Sequence, residues 1–94
     1  HPMKIIREGK EEKIFTDGIF VAVGTVPNSG LLKGFVKLDK NGYIIADEDG
    51  VTSVSGFFAA GDVRTKSVRQ VITAAADGAS CVYSAENYIL KNNI

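Results

Sequence analysis

The chain has 94 residues, with 11 basic and 11 acidic side chains, so its formal net charge at pH 7 is zero. This length sets a limit of one domain, and a hydrophobic content of 45% indicates a globular protein rather than a disordered one. Because the two signs of charge are interspersed, the sequence predicts no nucleic-acid partner, and no apolar stretch predicts a membrane partner. The single cysteine, Cys81, excludes an internal disulfide and indicates a reducing, cytoplasmic compartment.

The first half of the chain has the pattern of strands and turns. Lys4–Ile14 predicts two short strands around a glycine turn. The apolar run Ile19–Val23 is bounded by glycines, which predicts a strand buried on both faces. Phe35–Ala46 predicts a hairpin that turns at Asn41-Gly42, a pair that tolerates positive φ.

The second half predicts a further strand and a long helix. Phe57–Ala60 is short, apolar and bounded by glycines, which predicts a second buried strand that ends at Gly61-Asp62. From Val68 to Asn92, apolar and small residues recur at spacings of three and four and predict one packed helix face. The members of this predicted face are Val71, Ala74, Ala75, Gly78, Val82, Ala85 and Ile89. The order of elements predicts an α/β architecture.

The Gly61-Asp62 pair is the sharpest functional signal. In open α/β sheets, ligands bind beyond the carboxyl ends of strands, and Gly61 lets a ligand approach the backbone because it has no Cβ. The carboxylate of Asp62 can accept a hydrogen bond from a ligand hydroxyl, worth about 1.5–3 kcal/mol. Taken alone, a Gly-Asp pair more often only ends a strand and begins a turn. The segments on either side of this pair favour ligand binding over a simple turn.

Those segments resemble the low-molecular-weight, bacterial-type thioredoxin reductases over about residues 5–90. Ala59–Asp62 followed by Arg69–Ala79 is similar to the second flavin-binding motif of that family. Asp17–Gly24, followed by Pro27-Asn28, resembles the point where the family's nucleotide domain ends and the chain re-enters the FAD domain. Related flavin disulfide reductases share the Gly-Asp motif, whereas the Arg-Gln-Val-Ile-Thr-Ala-Ala run is more specific to thioredoxin reductases.

The resemblance implies a fold and a division of the chain. The fold would be part of an FAD/NAD(P)-binding, Rossmann-like α/β fold of the flavin disulfide reductase type, with β-hairpins, a buried strand and a long C-terminal helix. Residues 3–24 would be the end of the NADPH-binding domain and its crossover strand. Residues 25–94 would be the C-terminal segment of the FAD-binding domain.

The resemblance also implies a partial FAD site between the end of the second buried strand and the start of the helix. Its cofactor-binding residues would be Gly61, Asp62, Val63, Arg69, Gln70 and Val71. Asp62 would accept a hydrogen bond from a ribityl hydroxyl, and Gly61 and Val63 would bring backbone close to the middle of FAD. Arg69, Gln70 and Val71 would lie over the pyrimidine side of the flavin. Unpaired amides at a helix start favour negative charge, so they would stabilise a reduced flavin. Without the resemblance, Arg69 and Gln70 would be interpreted as a solvated first helical turn.

Several parts of a thioredoxin reductase have no counterpart in this sequence. There is no Gly-x-Gly-x-x-Gly turn for FAD or for NADPH and no Cys-x-x-Cys dithiol, and Cys81 is expected to be an inert packing residue. We therefore expect the 94 residues to be inactive alone, with NADPH and thioredoxin used only by the full-length parent. No metal site is expected.

Two alternatives to a thioredoxin reductase remain open. The chain could belong to a related flavoprotein reductase, acting on ferredoxin–NADP or on peroxiredoxin, or it could be a non-enzymatic association module. Whichever function holds, the one helix of the isolated chain cannot cover both faces of a sheet built from strands that are apolar throughout. The sequence therefore predicts a homo-oligomer.

Overall fold

A computed structural model describes all 94 residues, and its first element is an antiparallel pair of strands. Strand β1 (Pro2–Arg7) pairs with β2 (Lys10–Phe15) along its whole length. Glu8 and Gly9 form the two-residue turn with φ values of 50° and 76°. Positive φ at both central residues matches the right-handed twist of a hairpin, so the first two predicted strands are confirmed.

The segment Ile19–Val23 is neither a strand nor buried, so that prediction was wrong. Its residues lie outside any helix or strand, and the side chain of Phe20 is 99% exposed. A strand buried on both faces needs paired neighbours and a covering layer on each side. The segment has no strand partner in this chain, and its large apolar side chains are 58–99% exposed.

The predicted hairpin Phe35–Ala46 is present in a narrow form. Its arms meet in one antiparallel bridge between Leu38 and Ile44, and the turn closes where the amide of Gly42 donates to the carbonyl oxygen of Asp39 at 3.1 Å. Gly42 has a φ of 89°, which a side chain with a Cβ rarely adopts. The predicted turn is therefore confirmed, although no ladder extends from it.

The second predicted buried strand, Phe57–Ala60, is only partly formed. Phe58 pairs with Val51 in an isolated antiparallel bridge, and the amide of Ala59 donates to the carbonyl oxygen of Gly50 at 2.9 Å. Ala59 is buried, but Ala60 is exposed. Ala59 is thus the one buried residue of the segment. The segment has no parallel strand on either side, so it is not a central strand of a sheet.

Helix α1 (Val71–Lys91) is the long C-terminal helix that the periodicity predicts. It begins at residue 71 rather than 68 because Gln70 keeps an extended backbone, with φ −136° and ψ 162°. The amide of Gln70 donates to Oγ1 of Thr73 at 3.0 Å, which is a typical helix-start contact. A short 3-10 turn, Gly61–Val63, packs against α1.

The helix packs with a different face from the predicted one. Its buried residue is Asp77, and Ala74 and Cys81 are half-buried on the same side. Val71 and Val82, two members of the predicted face, are 89% and 70% exposed. The predicted apolar face was therefore partly wrong. The side of the helix that meets the rest of the chain centres on the ion pair of Asp77, and a ring contact between Tyr88 and Phe58 lies further along it.

The apolar core is small and the molecule is elongated. Four residues form the buried cluster: Val36, Ile44, Ala46 and Ala59. The radius of gyration is 19.5 Å, against about 12 Å for a compact domain of this length, because the hairpin β1–β2 extends away from the core. No helix is both long and apolar enough to cross a bilayer.

Candidate functional site

The turn Gly61–Val63 presents one carboxylate to solvent. Gly61 is buried and has a φ of 85°, in the region that favours glycine, and this backbone directs the next residue outward. Asp62 is exposed, and only its backbone carbonyl takes part in the hydrogen bonds of this region. The side-chain carboxylate of Asp62 is therefore available to accept hydrogen bonds from a ligand.

An open cavity of about 460 Å³ lies beside this carboxylate. It is bounded by the connector that precedes the hairpin, by the hairpin turn and by the turn Gly61–Val63. The lining residues are Thr25, Val26, Pro27, Asn28, Tyr43, Asp62, Val63 and Arg69. Three of the six predicted site residues thus share one cavity. No group of three or more His, Cys, Asp or Glu side chains is placed to hold a metal.

Arg69 forms a fixed wall of the cavity. Its guanidinium carbon lies 3.9 Å from the ring centroid of Tyr43, which is a cation–π contact. Its Nε donates to the carbonyl oxygen of Asp62 and its Nη2 to that of Arg64, both at 3.1 Å. Three contacts from one side chain hold the turn against the hairpin, so Arg69 braces the cavity.

The other three predicted site residues lie outside the cavity lining. Gly61 is the buried first residue of the turn, and Gln70 and Val71 are exposed at the start of α1. The amides of Val71 and Ile72 have no acceptor within the chain, as expected for the first turn of a helix. These amides can donate to a ligand oxygen, and the positive end of the helix dipole favours a partial negative charge there.

A buried ion pair lies behind the turn. Nε and Nη2 of Arg64 each donate to Asp77, at 2.7 Å, in a bidentate arrangement. The amide of Gly61 donates to Oδ2 of Asp77 at 2.9 Å, and Nζ of Lys66 lies 2.9 Å from the same oxygen. The side chains of Arg64 and Asp77 are only 2% and 7% exposed, so the pair is almost fully removed from solvent.

The ion pair shifts the pKa of both partners away from neutrality. Hydrogen bonds from Arg64 hold the pKa of the Asp77 carboxyl well below its usual range, against an opposing effect of burial, and Lys66 and the Gly61 amide add to the lowering. The same hydrogen bonds raise the pKa of the Arg64 guanidinium. Both side chains are therefore charged at every physiological pH.

Sequence reasoning missed Tyr43 and the Arg64–Asp77 pair. Tyr43 directly follows the Asn41-Gly42 turn, and an aromatic residue at the end of a hairpin turn was the available signal. Asp77 was also visible as the one acidic residue in a run of small apolar residues, Ala74–Ala79. A carboxylate at such a position predicts a buried partner of opposite charge.

The sequence matches the family model described as pyridine nucleotide-disulphide oxidoreductase over residues 3–78. A thioredoxin reductase of Peptoclostridium acidaminophilum is 53% identical over 77 residues, which cover 82% of this chain and 24% of that protein. NADPH-dependent thioredoxin reductase 3 of Arabidopsis thaliana is 45% identical over 87 residues, which cover 92% of this chain and 16% of that protein.

Solved structures with the same fold are also thioredoxin reductases. That of Lactococcus lactis, in its FR conformation, has a TM-score of 0.77 and 34% identity and aligns with 90% of this chain and 28% of its own. That of T. acidophilum has a TM-score of 0.76 and 39% identity, with 92% and 29% covered. The chain spans about a quarter of the length of most of these relatives. The prediction that it forms part of a Rossmann-like α/β fold is confirmed. The match of the family model to most of its residues shows that the chain belongs to the pyridine nucleotide-disulphide oxidoreductase family.

Proposed function

We propose that the chain is the C-terminal part of a thioredoxin reductase. Residues 3–24 complete the NADPH-binding domain and cross over, and residues 25–94 are the second segment of the FAD-binding domain. Relatives named thioredoxin reductase, at 45–54% identity, support this assignment. The complete protein would carry reducing equivalents from NADPH through FAD and a dithiol to thioredoxin.

The observation that carries the proposal is the unpartnered carboxylate of Asp62 at the mouth of the cavity. A cofactor with a polyhydroxyl chain supplies the hydroxyl donors that this carboxylate lacks within the chain. Gly61 allows backbone to come close to such a chain, and Val63 offers an apolar contact beside it. The donor set of the site therefore fits the ribityl part of FAD.

The start of α1 fits the ring end of the same cofactor. Gln70 and Val71 are exposed there, next to amides that have no acceptor. The guanidinium of Arg69 is already engaged by the ring of Tyr43 and the carbonyl oxygen of Asp62. Arg69 would therefore orient the flavin ring as a fixed wall of the site rather than through an ion pair with it. FAD, when bound, supplies the transfer of an electron pair between NADPH and a disulfide. This chain's residues bind and orient it and donate hydrogen bonds to its negative edge.

The 94 residues alone are expected to bind FAD weakly and to have no reductase activity. They hold no glycine-rich pyrophosphate turn and no Cys-x-x-Cys pair. Thioredoxin as redox partner, association of the chain with further copies of itself, and a reducing cytoplasmic location complete the proposal. The exposed apolar side chains support the association. The single cysteine supports the reducing location.

The test is the activity of the complete protein that contains this chain. Purified protein should carry bound flavin, oxidise NADPH and reduce thioredoxin in a coupled disulfide-dye assay. Reduction of a ferredoxin or a peroxiredoxin partner without reduction of thioredoxin would favour a related flavoprotein reductase. Protein that is folded but takes up no FAD and does not oxidise NADPH would refute the proposal and favour a non-enzymatic association module.

A further inference from the structure

We propose that Asp77 is a positioning residue for the flavin site: together with Arg64 it fixes the Gly61-Asp62 turn, and so the carboxylate of Asp62, in its cofactor-binding orientation. The proposal rests on the function proposed above. It adds two residues, both outside the cavity lining, that would act on FAD only through the turn.

The contacts of Asp77 reach the turn at its first residue. The amide of Gly61 donates to Oδ2 of Asp77 at 2.9 Å, in a buried environment. The bond connects the second turn of helix α1 to the residue that immediately precedes Asp62. Because the carboxylate of Asp62 has no partner of its own within the chain, only the backbone of the turn limits the region that this carboxylate can reach.

Arg64 holds the other end of the same turn. Its side chain binds Asp77 in a bidentate arrangement, and its Nη1 donates to the carbonyl oxygen of Thr65 at 2.7 Å. A bidentate guanidinium–carboxylate pair fixes orientation as well as distance. Gly61 and Arg64 are thus both bound to one carboxylate, and Asp62 and Val63 span the gap between them.

Burial makes this arrangement rigid. No buried side-chain nitrogen or oxygen lacks a hydrogen-bond partner, and both Arg64 and Asp77 are nearly inaccessible to solvent. Moving the turn would break at least one charge-assisted bond in a low-dielectric environment, where such bonds are strong. The backbone of Asp62 is therefore held in place before any ligand arrives.

The experiment compares variants of the complete, flavin-loaded protein. Asp77→Asn keeps the size of the side chain but removes the charge and one acceptor, and Arg64→Lys keeps the charge but loses the bidentate geometry. Val36→Ala serves as the control for lost stability, because Val36 is buried in the apolar core and takes no part in the hydrogen bonds among Gly61, Arg64 and Asp77. For each protein, FAD affinity, the visible circular dichroism of bound flavin and the melting temperature are measured.

Asp77→Asn should weaken FAD binding about tenfold, the effect of roughly one charge-assisted hydrogen bond. It should also change the circular dichroism of the remaining flavin. Val36→Ala should do neither at a comparable loss of melting temperature. In an Asp62→Ala background, Asp77→Asn should cost less affinity than in the wild type, since its effect passes through Asp62. Arg64→Lys should behave as Asp77→Asn does, and it replaces that variant in the test if Asp77→Asn does not fold.

Two results would overturn the proposal, and both can be told apart from the result that would refute the proposed function. Wild-type FAD affinity and flavin dichroism in Asp77→Asn, or in Arg64→Lys if it is the folded variant, would show that the turn does not depend on the pair. The variant could instead lose no more FAD affinity than Val36→Ala does, with a loss that simply adds to the loss caused by Asp62→Ala. That result would show a general loss of stability. A wild-type protein without flavin would instead refute the proposed function itself, and this role with it.

Discussion

The Arg64 guanidinium and the Asp77 carboxylate share two hydrogen bonds of 2.7 Å and lie almost entirely out of solvent. The two residues are 13 positions apart: Arg64 directly follows the turn Gly61–Val63, and Asp77 lies in the second turn of helix α1. Breaking such a buried pair by removing one partner leaves an uncompensated charge in the interior, which is more damaging than the loss of a surface pair. The pair is therefore the main attachment of α1 to this turn.

Removal of Asp77 should destabilise the chain severely. Asp77→Ala leaves Arg64 buried without its partner and should lower the free energy of unfolding by about 3–5 kcal/mol. The control is Glu48→Ala, since Glu48 also binds Arg64, at 3.2 Å, but its side chain is 87% exposed. That change should cost about 1 kcal/mol or less. Urea denaturation monitored by helix circular dichroism decides, and equal effects of the two substitutions would contradict a dominant role for the buried pair.

Stability should fall in acid because of the same carboxylate. The pKa of Asp77 is lowered in the folded chain, mainly by hydrogen bonds from Arg64, and is about 3.9 in the unfolded chain. The unfolded state then binds more protons in acid, so the contribution of Asp77 is complete above about pH 4 and is lost below it. Asp77→Asn should remove this part of the pH dependence. Parallel loss of stability in wild type and variant between pH 7 and pH 3 would show that other groups cause it.

Cys81 should react slowly with thiol reagents. Burial, followed by the negative charge of Asp77, raises the pKa of its thiol, and Sγ lies 3.4 Å from the carbonyl oxygen of Ala59. Because the thiolate is the reactive form, alkylation by iodoacetamide at pH 8 should be slower in the native chain than in urea. Equal rates in the two conditions would show that Cys81 is open to solvent and that the expectation of an inert packing residue was wrong.

Local features of the fold were predictable, and features that need distant partners were not. The turns at Gly9 and Gly42 depend on the φ of one or two residues, and helix α1 depends on its own periodicity, so the sequence contained both signals. Burial of Ile19–Val23 depends on neighbours that no nearby residue specifies. The bidentate contact of Asp77 depends on Arg64, 13 residues earlier, and periodicity does not encode a pair at that separation.

The candidate site shows the same division. Asp62, Val63 and Arg69 were found because they belong to one short motif, and they do share a cavity. Tyr43 joins them from a different segment, through its ring contact with Arg69. The identity of Tyr43 was visible in the sequence, but its distance from Arg69 was not.

Asp62 should matter for cofactor retention in the complete protein. Asp62→Ala removes the unpartnered carboxylate and should weaken FAD binding by about 1.5–3 kcal/mol, or roughly 10–150-fold. Folding should be unaffected, because this side chain is exposed and supports no contact within the chain. The matched control is Asp17→Ala, an exposed carboxylate outside the cavity. An Asp62→Ala protein that keeps its flavin through dialysis as the control does would argue against the assignment.

The distribution of apolar side chains motivates a prediction about association. Phe20 and Leu31 are fully exposed, and Val82, Ala85, Ile89 and Leu90 line an open apolar groove on helix α1. Large contiguous apolar surface is unusual on a protein that stays monomeric. The buried apolar cluster of the chain contains only four residues, so most of the hydrophobic surface of this chain remains in water unless another chain covers it.

The isolated 94 residues should therefore self-associate, and changes at the exposed surface should reverse this. We expect multi-angle light scattering at micromolar concentration to give a multiple of the 10.0 kDa chain mass. Light scattering is required because a chain 64 Å long elutes early in size exclusion even as a monomer. Phe20→Ser combined with Leu90→Ser should shift the mass toward 10.0 kDa, since each substitution removes exposed apolar area without touching the core. Lys40→Ser, at an exposed polar position, is the control. A wild-type mass of 10.0 kDa, with no binding of a hydrophobic dye, would show that this surface stays solvated and that no homo-oligomer forms.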